Sequence, residues 1–254
     1  MSKLPEENQF FDVSDYGRPV ARAIANSLKN TSTTPIHVTL WFVVAGIIAL
    51  FFIYKEWFVL ATIFLVLKSI LDAADGELAR VKNTPSYTGR YLDSVSDIIL
   101  NLFLLTLIGI TNNDHWWWIA LAFIGLQLQG TLYNYYYVIL RNIHGGDTTS
   151  RIIEGKTPVA FDIEKQSHVN ILFGMYKFCY GIFDFVIYKL DASAQKTKNL
   201  PNWFMTLVSF YGLGFQLLFI GVLLIAGLKA FVLPILVIYS FGIPVFIVIR
   251  KFFL

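Results

Sequence analysis

Six stretches of about twenty mostly apolar residues recur along the chain, and that is the length a helix needs to cross the hydrocarbon core of a bilayer. Their approximate limits are 37–54, 57–79, 90–111, 115–140, 203–227 and 230–249. Only 15% of the 254 residues are charged and 56% are hydrophobic, whereas a soluble domain carries about 25% charged residues. This balance excludes a soluble protein with a large core. Trp57, Trp116, Trp117, Trp118 and Trp203 fall near the predicted ends, where amphipathic rings favour the headgroup layer. The expected fold is therefore all-α: a polytopic membrane protein with six transmembrane helices.

The charges outside the runs are uneven. The links 54–57 and 112–115, with the turn near 228–230, hold only Lys55 and Lys229, while 17 other basic residues lie on the opposite side and Lys68 lies inside a span. By the positive-inside rule both termini and the link between spans two and three face the cytoplasm. The net charge of +3 points to no nucleic-acid partner. A single cysteine, Cys179, allows neither an internal disulfide nor a cysteine metal site. The opening residues, MSKLPEENQF, are polar and lack the apolar core of a signal peptide.

Between residues 10 and 30, Val20, Ile24 and Leu28 recur every fourth position with Arg18, Arg22 and Lys29 among them. This pattern predicts an N-terminal amphipathic helix lying on the membrane surface. Residues 1–36 are read as a cytoplasmic N-terminal segment and 37–254 as the six-span domain. The link 142–201 starts with a Gly145–Gly146 break. It also holds an apolar run, 169–188, with Lys177 and Asp184 in its middle. An interfacial or docked helix is expected there, because a seventh span would undo the charge asymmetry.

The stretch LDAADGELARVKNTPSYTGRYLDSVSD, residues 71–97, carries five acids: Asp72, Asp75, Glu77, Asp93 and Asp97. Asp72 and Asp75 share a helix face at the end of span two, as do Asp93 and Asp97 at the start of span three. Asn83, Pro85, Ser86 and Gly89 turn the chain between them, so the two pairs can converge. Carboxylates so placed repel one another, and each costs about 2.5–3.5 kcal/mol at membrane depth. A hard cation relieves both costs, and the oxygen-only set suits Mg²⁺, Mn²⁺ or Ca²⁺ rather than zinc. Two such ions roughly 3.5–4 Å apart would make a phosphoryl-transfer site. Gly76 and Ala79, with Ala73 and Ala74, leave the helix face open to a flat ligand, and Arg80 can pair with phosphate oxygens.

The pattern Asp72-x2-Asp75-Gly76-x2-Ala79-Arg80-x8-Gly89-x3-Asp93-x3-Asp97 resembles, at all eight specified positions over 26 residues, the signature of the CDP-alcohol phosphatidyltransferases. The resemblance implies that Asp72, Asp75, Asp93 and Asp97 bind Mg²⁺ or Mn²⁺, two ions in all, and that Asp97 is also the general base. It implies that Gly76, Ala79 and Arg80 line the cytidine and pyrophosphate site, with Ser86 beside the donor. Members of the family tend to open span one with Thr-Pro-Asn-x-Val-Thr. Here the segment reads Thr34-Pro35-Ile36-His37-Val38-Thr39, with Ile36 in place of Asn and Thr39 as the implied nucleotide contact. The implied partners are a CDP-linked lipid donor, an alcohol acceptor, membrane lipids and a second copy of the chain in a homodimer.

The implied reaction moves a phosphatidyl group from a donor such as CDP-diacylglycerol to an alcohol hydroxyl, releasing CMP. A CDP-alcohol donor acting on diacylglycerol is the alternative within the family. Arg141, Arg151, Lys156 and Lys165 can form a basic pocket for a phosphorylated acceptor, and they equally fit as ordinary positive-inside charges. A cation transporter built on the same acids requires them near mid-membrane, whereas they fall at predicted span ends. A membrane scaffold without activity has no use for the complete signature.

Overall fold

A computed structural model of the chain describes residues 4–145 and 154–254. Arg151 lies outside the described residues. Among these, ten α-helices and no strand are found: α1 Arg18–Leu28, α2 Pro35–Tyr54, α3 Phe58–Val81, α4 Tyr87–Asn112, α5 Trp116–Ile143, α6 Gln166–Leu190, α7 Asn202–Val208, α8 Leu213–Ile225, α9 Val232–Tyr239 and α10 Gly242–Phe253. Helices are the form in which an isolated stretch satisfies its own backbone in lipid.

Four helical stretches among the described residues are long and apolar enough to cross a membrane: α2, α4, α6 and residues 229–253, which contain α9 and α10. The bent pair α7 and α8, meeting at 52°, makes a fifth if it counts as one span. α3 is excluded by charge, since every 18-residue window of it contains Lys68, Asp72 and Asp75. α5 is diluted by three opening tryptophans and by Gln127 and Gln129. The expected span 203–227 is thus broken at Ser209–Gly212, and 230–249 is interrupted between Tyr239 and Gly242.

Contacts between links show which ends lie together. At one end Lys229 Nζ donates to Glu56 Oε1 at 2.8 Å and to Thr111 O at 3.4 Å, and Asn112 Nδ2 reaches Lys229 O at 3.0 Å. At the other, Lys82 Nζ donates to Thr31 O and Thr33 O at 2.7 Å each, and Asn202 Nδ2 reaches Gln9 O at 3.4 Å. Helices α2, α3, α4 and α5, then α7 with α8, then α9 with α10, each run from one end of the bundle to the other. α6 does not. It begins beside the α3–α4 turn, packs across α4 and α5, and finishes where Lys251 Nζ donates to Leu190 O at 2.8 Å.

That finish is tightly held. Buried Asp191 accepts hydrogen bonds from Tyr136 Oη and Arg250 Nε, both at 2.8 Å. Residues 169–188 thus fall within one long apolar helix, α6, which packs against α4 and α5 and carries exposed Phe178, Ile182 and Phe185 on its outer face.

α1 forms within the predicted stretch, and Ile24 and Leu28 of the expected face pack partly buried against its neighbours, but small residues fill the centre of the contact. Ala21 and Ala25, not Val20, pack against Ala74 and Leu78 of α3 and Val38 of α2, and Val20 is exposed. Small side chains let α1 lie close on α3. Just before it, the turn Val13–Asp15 rests on α8. A Cβ at Gly214 would lie 1.9 Å from Ser14 O, so only glycine permits this approach.

Candidate active site

α3 and α4 are joined by a short turn, and both pack on α2 or its neighbours. α3 ends at Val81 with Lys82 as its C-cap, after which Asn83 takes the left-handed conformation at φ 54°, a common helix terminator. Ser86 caps α4, its Oγ accepting from Gly89 N at 2.8 Å. The turn brings the acid-bearing ends of the two helices to one cavity of about 1070 Å³ at the α1 end of the bundle.

Asp72, Asp75 and Asp93 converge there, each offering an oxygen, the three lying within 4.8 Å of one another. Thr39 Oγ1 donates to Asp75 Oδ2 at 2.6 Å, so the residue expected at the nucleotide orients a carboxylate instead, while still lining the cavity. Buried Asp93 Oδ1 has no hydrogen-bond partner among the described residues. An orphaned carboxylate oxygen beside two other carboxylates, with no imidazole or thiol in the set, fits a hard divalent cation.

Asp97 stands apart from that trio. Its Oδ1 accepts from Lys68 Nζ, and Lys68, 2% exposed, also lies over the Phe42 ring at 5.1 Å. Lys68 is the main site feature that the sequence pattern left aside. The available signal was its spacing: it precedes Asp72 by one helical turn on the same face of α3, and a lysine inside an apolar span demands an acid partner.

Glu77, the acid left out of the expected cluster, joins elements. Its carboxylate takes Arg18 of α1, lies 3.1 Å from Arg80 Nη2, and has Arg22 at 3.9 Å. It thereby holds the guanidinium of Arg80 over Gly76, where a Cβ would sit 3.5 Å from Arg80 Nη1. Arg80 Nε is buried without a hydrogen-bond partner among the described residues. Gly76, Ala79 and Arg80 all line the cavity.

Ser86 lines it too, but its hydroxyl is engaged, donating to Glu164 Oε1 at 2.7 Å. Glu164 also accepts from Thr88 N at 2.7 Å and Tyr87 N at 3.1 Å, an anion at the positive end of α4. Burial alone would raise the Glu164 pKa, but the hydrogen bonds from Thr88, Ser86 and Tyr87 hold it below the usual glutamate range. His37 does not reach the cavity. Its Nδ1 accepts from Thr34 N at 3.0 Å, closing a capping box that starts α2. Of the four basic residues considered for an acceptor pocket, Arg141 lines the cavity and Lys156 and Lys165 do not.

In a bundle of apolar helices, a carboxylate trio and Asp97 of a buried Asp–Lys pair thus line one large cavity. The family model for CDP-alcohol phosphatidyltransferase matches residues 32–161, and the chain belongs to this family, whose members are phosphotransferases for substituted phosphate groups. The match covers α2 to α5, every residue of the signature included. No curated protein and no solved structure gives a significant match.

Proposed function

We propose that the protein transfers a phosphatidyl group from a CDP-linked lipid, CDP-diacylglycerol, to the hydroxyl of an alcohol, with release of CMP. The observation that carries this reading is the meeting of Asp72, Asp75, Asp93 and Asp97 with Gly76, Ala79 and Arg80 around one cavity. Asp72, Asp75 and Asp93 would hold the divalent ions, Mg²⁺ or Mn²⁺, which when bound offset the charge of the diphosphate.

The chain's own groups do the rest. Gly76 and Ala79 leave room for the donor against α3, and Arg80, steadied by Glu77, offers its guanidinium to phosphate oxygens. Lys68 occupies Oδ1 of Asp97 and holds the carboxylate at the cavity. Its Oδ2 takes the proton of the acceptor hydroxyl as that oxygen attacks the β-phosphorus and the bond to CMP breaks. Much of the catalysis is positioning.

We extend the proposal to orientation. The six traverses of the bundle cross the membrane, with α1 and α6 at the cytoplasmic surface. The uneven distribution of lysine and arginine and the common end of both α6 termini support this.

The test is CMP release by purified protein supplied with CDP-diacylglycerol, CDP-choline and a panel of alcohols, before and after metal stripping with EDTA. CMP release that depends on CDP-diacylglycerol and on restored Mg²⁺ is expected. Release that persists undiminished after stripping, or that occurs only with CDP-choline and diacylglycerol, would overturn the reading.

A further inference from the structure

Beyond the carboxylates the cavity continues along a polar wall. Asn101, one turn past Asp97 on α4, lines it, with Gln127 and Thr131 of α5 and Gln216 of α8. All four are buried, between 1% and 7% exposed. Three of them carry a polar atom with no hydrogen-bond partner among the described residues: Gln127 Nε2, Thr131 Oγ1 and Gln216 Oε1. Native proteins pair nearly all such atoms, and at membrane depth an idle amide is costly. Three orphans in one cavity mark a place where a ligand completes the pairing.

Their chemistry narrows the ligand. The Gln216 amide has a settled orientation, because its Nε2 donates to Gln129 Oε1 at 2.9 Å and to Leu126 O at 3.3 Å. Gln129 is fixed in turn by donating to Ser240 Oγ and Leu236 O. Gln216 Oε1 is thus an acceptor awaiting a donor. Gln127 Nε2 is a donor awaiting an acceptor, and the Thr131 hydroxyl can serve either way. A phosphate group only accepts and an ammonium only donates. An alcohol hydroxyl does both. The wall itself is uncharged. Arg141, the cation of α5 that lines the same cavity, lies ten residues beyond Thr131, the nearer wall residue of α5, about 15 Å at the helical rise.

We propose that this wall binds the acceptor, and that the acceptor is a neutral polyol. The proposal rests on the transferase reading above and adds to it the class of the second substrate. Asp97 lies between the wall and the carboxylate trio, one turn from Asn101, where a hydroxyl of the bound polyol would meet it.

Gln127→Leu and Thr131→Val test this cleanly, since neither removes a hydrogen bond seen among the described residues. Purified protein in detergent is given CDP-diacylglycerol with myo-inositol, glycerol, glycerol 3-phosphate or serine. Direct binding of myo-inositol and glycerol is measured by calorimetry. The expected result is a kcat/KM for a neutral polyol well above those for glycerol 3-phosphate and serine. The polyol KM and Kd should rise roughly tenfold in each variant, as for loss of one hydrogen bond, with a smaller change in the donor KM. Preference for glycerol 3-phosphate or serine overturns the proposal while leaving the transferase reading intact. So does a donor KM that changes more than the polyol KM. If no alcohol supports CMP release, the transferase reading falls, and the calorimetry still decides: polyol binding weakened in both variants upholds the wall's role, and absence of polyol binding refutes it.

Discussion

A lysine ammonium buried among helices is tolerable only with an anion against it, and Lys68 has Asp97. Breaking such a pair from one side strands the other charge and costs roughly 3–5 kcal/mol. Lys68→Met should therefore be strongly destabilised. The double variant Lys68→Met/Asp97→Asn should regain most of that stability and remain inactive. Thermal melts of the two variants check this; a double variant no more stable than Lys68→Met would show that the pair does not act as one. Asp97→Asn alone should lower kcat by roughly 10²–10⁴, the usual range for loss of a general base. It should keep donor binding better than Asp72→Asn, which removes one of the convergent carboxylates. Equal loss of donor and metal binding in both variants would make Asp97 a ligand instead.

Between elements, single side chains decide how helices meet the site. Glu164 ties the start of α6 to the start of α4 through Ser86, Tyr87 and Thr88. Because its pKa is depressed on folding, its contribution is complete above the ordinary glutamate range. That contribution is lost as pH falls through the depressed value. The protection factors of the amides of residues 87–89, taken relative to the intrinsic exchange rate at each pH, should thus fall on the acid side in the parent protein. In Glu164→Gln exchange should already be faster at neutral pH, by the equivalent of about 1 kcal/mol, with no further acid step. An unchanged acid step in the variant would assign it to another group. At the other face, Gly214→Ala places a methyl against the Ser14 carbonyl. The turn before α1 must then lift from α8. Because Arg18 and Glu77 link α1 to the Arg80 guanidinium, a weaker donor affinity should accompany a lower melting temperature, measured on the same preparation.

At the scale of the molecule, apolar side chains cover the outside. Ile47, Ile63, Phe103 and Phe241 are all exposed, a surface that lipid covers and water would not. The two ends differ in charge, and the proposed orientation can be read directly. In a Cys179→Ser background, cysteine introduced at Lys229 should react with an impermeant reagent added outside intact cells, and cysteine at Arg22 should react only after the membrane is opened. The reverse pattern would turn the protein over. A cysteine at Leu190 should behave like the one at Arg22, because both ends of α6 lie at the same end of the bundle; labelling from outside would make α6 a seventh span.

What the chain determines by itself is what local chemistry and period can carry. Apolar runs of membrane length place the helices to within a few residues, and positions three and four apart put Asp72 with Asp75 and Asp93 with Asp97 on common faces. Fixed spacing of eight residues names the family. The tertiary structure decided what depends on partners distant in sequence. Thr39 became the support of Asp75 across 36 residues, Lys68 the partner of Asp97 across 29, and Glu164 the cap of α4 across 78. Glu77, plain in a linear reading, became the joint between α1 and Arg80 because two helices pack there. Ala21 and Ala25, not the larger Val20, took the buried face of α1, since close approach to α3 favours small side chains over apolar bulk. The polar wall of Gln127, Thr131 and Gln216 was invisible for the same reason: scattered glutamines mean little until two helices bring them, unpaired, to one cavity.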